Sequence, residues 1–122
     1  MRKLTDYTTY ADAQRLFSTA RLWELFDGNR ESLNIGHECV DRYTSPGRVA
    51  LRIAHASGPD ETITFTDLSA WSARFANWLD ATGVRPGDRV GIMLEPSLPF
   101  YAALFGWEVH QGPPEVGAVK MA

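Results

Sequence analysis

Residues 66–80 carry an apolar stripe at helical spacing, which constrains the fold of this 122-residue chain more than any other feature. A helix is predicted because apolar residues recur three or four positions apart while polar residues fill the opposite side. The stripe consists of Leu68, Trp71, Phe75, Trp78 and Leu79. We expect the two tryptophans to pack against a sheet, with the Thr66 hydroxyl capping the helix and Asp67 in its first turn.

β-Strands are predicted on both sides of this helix. Residues 49–55 alternate in polarity, residues 57–60 form a turn cluster, and residues 62–65 are β-branched and aromatic. These segments predict a β-hairpin with a loop of about five residues. After the helix, Pro86-Gly87 fits a type II turn, and the largely apolar residues 89–94 are typical of a strand covered on both faces.

Helix boundaries follow from glycine and serine positions. Gly83 is predicted to end the striped helix in the left-handed conformation. Ser97 is predicted to cap a last helix that runs through Gly106. Its inward residues are expected to be Phe100, Ala103 and Leu104. The unit from Glu61 to Gly106 is therefore a strand–helix–strand–helix arrangement of the α/β class.

The N-terminal region predicts two further helices. Residues 10–27 have an amphipathic pattern, and Gly28 stands where a left-handed cap is expected. Residues 34–43 predict a shorter helix with its inner side on Ile35, Cys39 and Val40. We expect one incomplete domain with three parts: a helical region (1–47), the strand–helix–strand–helix unit (48–106) and an atypical tail (107–122).

Composition narrows the possible function classes. Apolar residues make up 44% of the chain, and the formal net charge is −3 without a basic stripe. We therefore expect no nucleic-acid partner. No run approaches the length of a membrane span, and the single cysteine, Cys39, fits a reducing compartment. The expected location is the cytoplasm.

Four residues are candidates for chemistry. His37 and Asp41 lie four positions apart, so they could orient a proton-transfer histidine or supply two metal ligands; a helix-surface hydrogen bond or ion pair is the commoner outcome. Cys39 could be a nucleophile with a lowered pKa, although a free cysteine is more often a small core residue. Glu95 ends a predicted strand, where a ligand site or a simple loop contact would fit. His55 and His110 are isolated and are assigned no role.

Residues 83–88 are glycine-rich but do not match a phosphate loop. Neither Gly-x-x-x-x-Gly-Lys-Ser/Thr nor Gly-x-Gly-x-x-Gly is present, and these glycines precede a predicted strand. Phosphate loops instead follow a strand and open a helix. We expect a structural turn here, and the residues themselves predict no catalytic, cofactor-binding or metal-binding position in this chain.

The order of these motifs resembles the start of AMP-forming acyl-CoA synthetases in the adenylate-forming ligase superfamily. The likeness includes residues 33–42, which resemble the N-terminal region of acetyl- and medium-chain-type enzymes. It rests on residues 33–42, 62–68, 73–79, 83–90, 92–97 and 102–106. The chain departs from the family pattern at residues 107–115, which include Pro113-Pro114.

The resemblance implies a partial N-terminal subdomain of the adenylate-forming ligase fold. The family couples ATP, a carboxylic acid and CoA to form acyl-CoA, AMP and pyrophosphate, with magnesium assisting. Its phosphate loop, adenine-binding aromatic residue, ribose-binding Asp and catalytic Lys lie downstream of this region. No position here matches them, so ATP, Mg and CoA are implied for the full-length family only.

Three functional hypotheses follow. The first is an N-terminal piece of an acyl-CoA synthetase that is inactive alone. Its partner is then the remainder of the ligase domain or a second copy that pairs through an exposed sheet edge. The second is a non-catalytic binding or assembly module with the same partial fold. The third is a metal- or histidine-dependent hydrolase built on His37 and Asp41.

Overall fold

The computed structural model describes residues 2–111, which form several helices and one small hairpin. Short 3-10 turns lie at Leu4–Asp6 and Asp41–Tyr43. The other elements, in chain order, are α1 (Tyr10–Leu16), α2 (Thr19–Trp23), α3 (Ile35–Cys39), β1 (Val49–Ile53), β2 (Glu61–Thr64), α4 (Phe65–Ala81) and α5 (Leu98–Gln111). In this part of the chain, no helix is long and apolar enough to cross a membrane.

The predicted helix over residues 10–27 is wrong, because the chain forms two short helices there. Phe17 adopts an extended backbone (φ −65°, ψ 135°) between α1 and α2. The hydroxyls of Thr9 and Ser18 then cap the two helices separately, each accepting a backbone N–H three residues later. Gly28 is not a left-handed cap either. A Cβ there would lie 2.5 Å from the Ser32 carbonyl oxygen, so glycine is required by close packing.

Helix α3 is shorter than the predicted 34–43, and its inner side differs. Asn34 caps it by accepting the His37 N–H at 3.1 Å. Ile35 and Cys39 are exposed, whereas Val40 is buried as predicted. The side facing the protein also includes Gly36, where a Cβ would lie 2.5 Å from Val109 Cγ2 of α5. A small residue therefore sets the inner face of α3.

The predicted hairpin is confirmed. Strands β1 and β2 pair antiparallel, with Leu51 opposite Ile63 and Ile53 opposite Glu61. The register shifts between Val49 and Leu51, which marks a bulge or irregularity in the ladder. The connecting loop spans residues 54–60, longer than expected, because the ordered pairing stops at Ile53.

Helix α4 begins two residues earlier than the sequence indicated. Thr64, not Thr66, is the N-cap: its hydroxyl accepts the Asp67 N–H at 3.1 Å, and Asp67 accepts the Thr64 N–H at 3.2 Å. This reciprocal arrangement is a capping box. The hydrogen bonds from Thr64 lower the pKa of the exposed Asp67 carboxyl. The sequence missed the cap because Thr64 also ends β2.

The end of α4 follows the prediction. Gly83 has φ +86°, its N–H donates to the Asp80 carbonyl at 3.1 Å, and the Val84 N–H donates to the Leu79 carbonyl at 3.1 Å. These two bonds form a Schellman motif. The next turn also forms as expected: Gly87 has φ +94° and the Asp88 N–H donates to the Arg85 carbonyl at 3.0 Å.

The buried side of α4 is not the tryptophan side, so the expected packing of Trp71 and Trp78 against a sheet is wrong. These rings are 46% and 58% exposed. The residues that α4 buries are Leu68, Ser72, Ala76 and Leu79. The buried residues of helix α5 are Ala102, Ala103 and Gly106. Small residues on both helices let the backbones approach closely, and the large rings fall outside this contact.

Two features of the last unit differ from the sequence expectation. Residues 89–94 form no strand, because no third strand pairs with them in the part of the chain that the structure describes. Ser97 caps α5 as predicted, but the helix continues past Gly106 to Gln111. Gly106 therefore lies inside α5. A Cβ there would sit 2.6 Å from the Ser72 carbonyl oxygen, so close packing requires glycine at this position. The rest of the predicted tail, 112–122, lies outside the described residues.

Replacing Thr64 with Ala should lower the free energy of unfolding by about 1 kcal/mol, since the capping box loses its side-chain acceptor. The matched control is Thr66→Ala, because the exposed Thr66 has no side-chain hydrogen bond among the described residues. Urea unfolding followed by circular dichroism measures both variants. An equal loss in the two variants would contradict the assignment of the cap.

Replacing Gly106 with Ala should destabilise the chain by about 1–2 kcal/mol, because the clash outweighs the gain in helix propensity. The added Cβ meets a backbone carbonyl and Phe75 Cβ at 2.9 Å, and neither can move without shifting α4. Gly91→Ala is the matched control, since nothing lies within 4 Å of its Cβ position. Thermal unfolding should show a clear decrease for Gly106→Ala only; a neutral result would show that the helices are not in close contact.

Candidate functional site

A buried carboxylate joins the N-terminal segments. The Glu38 side chain is 3% exposed. Its Oε1 accepts the backbone N–H groups of Asp27 (2.9 Å) and Gly28 (2.8 Å), and its Oε2 accepts an Arg42 N–H at 2.5 Å. A buried charge is tolerated only when its hydrogen bonds are made. Glu38 therefore fixes the 27–28 turn against α3 and the segment that follows it.

Arg42 and His37 complete this cluster around Asp27. Arg42 donates to the Leu25 carbonyl at 2.9 Å and lies 3.3 Å from Asp27 Oδ1. His37 Nε2 lies 2.9 Å from Asp27 Oδ2. The hydrogen bond from His37 holds the pKa of the Asp27 carboxyl below its usual value, and the Arg42 charge acts in the same direction. The cluster's charges are thus directed at one another, as in a structural ion-pair network.

The structure does not pair His37 with Asp41. His37 bonds Asp27, while Asp41 Oδ1 accepts the Ser69 hydroxyl at 2.7 Å and ties the 41–43 turn to α4. Burial raises the pKa of the Asp41 carboxyl, opposed by the Ser69 bond and the nearby His37. Among residues 2–111, no group of three or more His, Cys, Asp or Glu residues could hold a metal ion. The predicted surface pair is wrong, since each residue has another partner.

The expectation that Cys39 is a core residue is wrong, because this residue is exposed. Partial desolvation of the sulfur, together with the Glu38 and Glu108 carboxylates, raises the pKa of its thiol. A raised pKa keeps a thiol protonated and unreactive at neutral pH. The structure therefore gives no support to Cys39 as a nucleophile.

The last candidate, Glu95, and the two histidines without an assigned role, His55 and His110, have separate local contacts. Glu95 is exposed, and its backbone carbonyl accepts the Ser97 hydroxyl at 2.9 Å. His55 Nε2 lies 2.6 Å from Glu61 Oε2 across the ends of the hairpin. His110 stacks on Trp107 with ring centroids 6.0 Å apart. The fold brings no two of these residues into one site.

The most developed surface feature is an apolar groove along the exposed side of α4. One part, of about 390 Å³, lies between α4 and the start of α5. A second part, of about 440 Å³, lies under residues 90–94. Phe75, Leu94 and Ala103 line both parts, so the two parts are adjacent. The remaining lining residues are Trp71, Arg74, Trp78, Val90, Gly91, Ile92, Met93, Leu98, Pro99 and Ala102.

The groove exposes an unusual amount of apolar side chain. Met93 is 97% exposed and Leu94 is 51% exposed, beside the half-exposed tryptophans. Among the lining residues in 2–111, Arg74 is the one with a charge, and its guanidinium lies over the Trp71 ring at 4.9 Å from the centroid. A contiguous exposed apolar surface of this kind is typical of an interaction site. The described lining residues form a surface that can bind another apolar surface, and no two of them make an acid–base or nucleophile–base pair.

The sequence identified the groove residues but placed them in the core. Its helical period marked Trp71, Phe75 and Trp78 as one apolar side. Periodicity shows which residues avoid water but not which other element covers them. The available signal was the second, small-residue side at Ser72 and Ala76, which is the side that permits close helix packing.

Comparison with known proteins identifies the class of protein. The profile of the family described as AMP-binding enzyme matches residues 41–107, more than half of the chain. The acetyl-coenzyme A synthetase of Streptomyces avermitilis is 37% identical over 70 residues, which cover 55% of this chain and 11% of that protein. The acetyl-coenzyme A synthetase of Thiobacillus denitrificans is 33% identical over 89 residues, which cover 71% of this chain and 13% of that protein.

A solved structure gives the same result. The crystal structure of a Brucella canis acyl-CoA synthetase matches with a TM-score of 0.78 and 34% identity, covering 87% of this chain and 20% of that one. This match confirms the α/β class and the partial adenylate-forming fold expected from the sequence. The chain thus spans about a tenth to a fifth of the length of these relatives. It belongs to the AMP-binding enzyme family, and its resemblance to acyl-CoA synthetases is confirmed.

Proposed function

We propose that this chain is the N-terminal scaffold portion of an AMP-forming acyl-CoA synthetase and that it is inactive alone. The observation that supports this most is its likeness, over 87% of its length, to only 20% of an acyl-CoA synthetase. The complete enzyme joins a carboxylic acid to CoA through an acyl adenylate, using ATP and magnesium and releasing AMP and pyrophosphate. In this proposal the present residues supply shape and packing to that enzyme.

In this proposal, the described side chains have no catalytic role. Glu38, Arg42, Asp27 and His37 are engaged with one another and hold the N-terminal segments together. The sequence contains no phosphate loop. Catalysis needs an acid, base or nucleophile within reach of a reacting group. His37 and Asp41 are each hydrogen-bonded to another side chain, and the pKa of the Cys39 thiol is raised, so we assign them no part in the reaction.

The apolar groove is the contact through which this scaffold acts. We assign its occupant as the remainder of the ligase domain, because the relatives continue far beyond the matched length. The exposed halves of Trp71 and Trp78 are the strongest contributors. Covering each should contribute about 2–3 kcal/mol, from roughly 100 Å² of apolar area per ring. The groove would then become part of a larger core.

Two finer assignments accompany this proposal. The chain would act in the cytoplasm, and its parent reaction would belong to carboxylic-acid or fatty-acid activation. Both derive from the family resemblance and from the acetyl-coenzyme A and acyl-CoA synthetases that the chain is similar to. The groove residues alone select no acid chain length.

A second candidate function is a non-catalytic binding or assembly module with the same partial fold. The observation that favours it is the groove itself, because an exposed apolar surface binds other apolar surfaces whatever its origin. The module would be a stable unit that binds neither ATP nor CoA. Its partner would be another protein rather than the rest of a ligase.

Pyrophosphate release tests the proposal. The chain alone, given ATP, magnesium, CoA and acetate or octanoate, should release no pyrophosphate above background. Mixed with the part of the Brucella canis synthetase that lies downstream of the matched region, it should restore activity. Trp78→Ser should reduce the restored activity, whereas Tyr10→Ser, which alters an 81% exposed ring on α1, should not.

Activity of the chain alone would contradict the scaffold role directly. If neither the chain nor the mixture is active, calorimetry with ATP and CoA and a thermal melt distinguish the scaffold from the binding module. A cooperative melt without binding of either ligand would favour the module. Equal activity with Trp78→Ser and Tyr10→Ser would show that the groove is not the contact.

A further inference from the structure

We infer that the isolated chain forms a two-fold symmetric dimer by antiparallel pairing of residues 89–95 with the same residues of a second copy. The inference rests on this segment's own backbone and charges and does not depend on the proposed ligase function. Residues 88–95 run without a turn or a bend between the turn at Gly87 and the start of α5. They belong to no helix and to no sheet in residues 2–111.

The backbone of this segment is free to pair. No backbone–backbone hydrogen bond among residues 2–111 involves residues 89–94. Unpaired N–H and C=O groups in a row are a template for another strand. Water can satisfy them in a monomer, but a second strand satisfies them while also covering apolar side chains.

Side-chain burial alternates from Arg89 to Met93, as in a strand with one covered face, and the alternation ends at Leu94, which is 51% exposed. Val90 and Ile92 are half-buried over the groove, while Arg89, Gly91, Met93 and Glu95 are all exposed. Alternate residues of a strand point to opposite faces. The exposed series is thus the set of side chains that would meet across a pair of copies on the outer face.

The charges select the antiparallel register. With Ile92 on the two-fold axis, Arg89 of one copy stands opposite Glu95 of the other, and the same pair recurs at the other end. Directly opposite residues of unlike charge stabilise a strand pair. In the same register Met93 lies opposite Gly91, which has nothing within 4 Å of its Cβ position and leaves room for the long side chain.

The dimer should be weak and dependent on concentration. A ladder of seven residues buries less than the roughly 1,200 Å² of a standard stable interface. The covered apolar atoms are mainly those of Met93 and Leu94, which are 97% and 51% exposed in the single chain. We therefore expect a monomer–dimer equilibrium rather than a permanent dimer.

Sedimentation equilibrium over a concentration series tests the inference. The wild-type chain should approach twice its 13.6 kDa mass as concentration rises. Arg89→Glu and Glu95→Arg each place like charges opposite one another at both ends, and each should raise the dimer Kd about tenfold. Mixing the two variants restores unlike charges at both ends, so the mixture should dimerise. The double variant Arg89→Glu/Glu95→Arg should dimerise as well.

Matched controls separate pairing from net charge. Arg30→Glu and Glu31→Arg make the same charge changes at exposed positions outside the segment and should keep the wild-type Kd. Circular dichroism checks that every variant is folded. A wild-type chain that stays monomeric at all concentrations would overturn the inference. So would single variants with an unchanged Kd, or a mixture of them that stays monomeric.

Discussion

The close contact between α4 and α5 is the constraint on which the rest of the structure depends. Gly106 lies so near the Ser72 carbonyl that a Cβ would come within 2.6 Å of it. Ser72, Ala76 and Ala102 are buried in the same interface, and their small side chains allow the two helices to lie close together. The two helices pack against each other through their small residues. The large rings of α4 therefore face outward. The apolar groove is therefore a consequence of this packing, not a defect in it.

The outer side of the helix pair and the N-terminal cluster have opposite characters. The groove is apolar and open, whereas the cluster around Glu38 is polar and closed on itself. Open apolar surface favours association, and a closed ion-pair network favours a fixed geometry. The chain thus combines an internally hydrogen-bonded polar cluster with an open apolar groove, as expected for part of a larger core.

Local signals in the sequence were correct at three turns and caps, although the cap predicted at Thr66 lies at Thr64 and Gly28 is not a left-handed cap. Gly83, Pro86-Gly87 and Ser97 act through positive φ, ring constraint and a capping hydroxyl, and all three behave as predicted. Signals that depend on a partner element were not. The burial of Trp71 and Trp78 and the strand at 89–94 both need a sheet that residues 2–111 do not form. His37 and Asp41 share a spacing, but tertiary partners from distant positions, Asp27 and Ser69, take their hydrogen bonds.

Hydrogen exchange on the dilute chain tests whether the contact between α4 and α5 organises the fold. If the α4–α5 contact organises the fold and the outer side is open, the slowest backbone amides should lie at the buried positions of α4 and α5. Amides of residues 89–94 should exchange close to the rate of an unstructured peptide, because nothing among the described residues bonds them. Protection of residues 89–94 equal to that of Leu68–Leu79 in the dilute monomer would contradict the account.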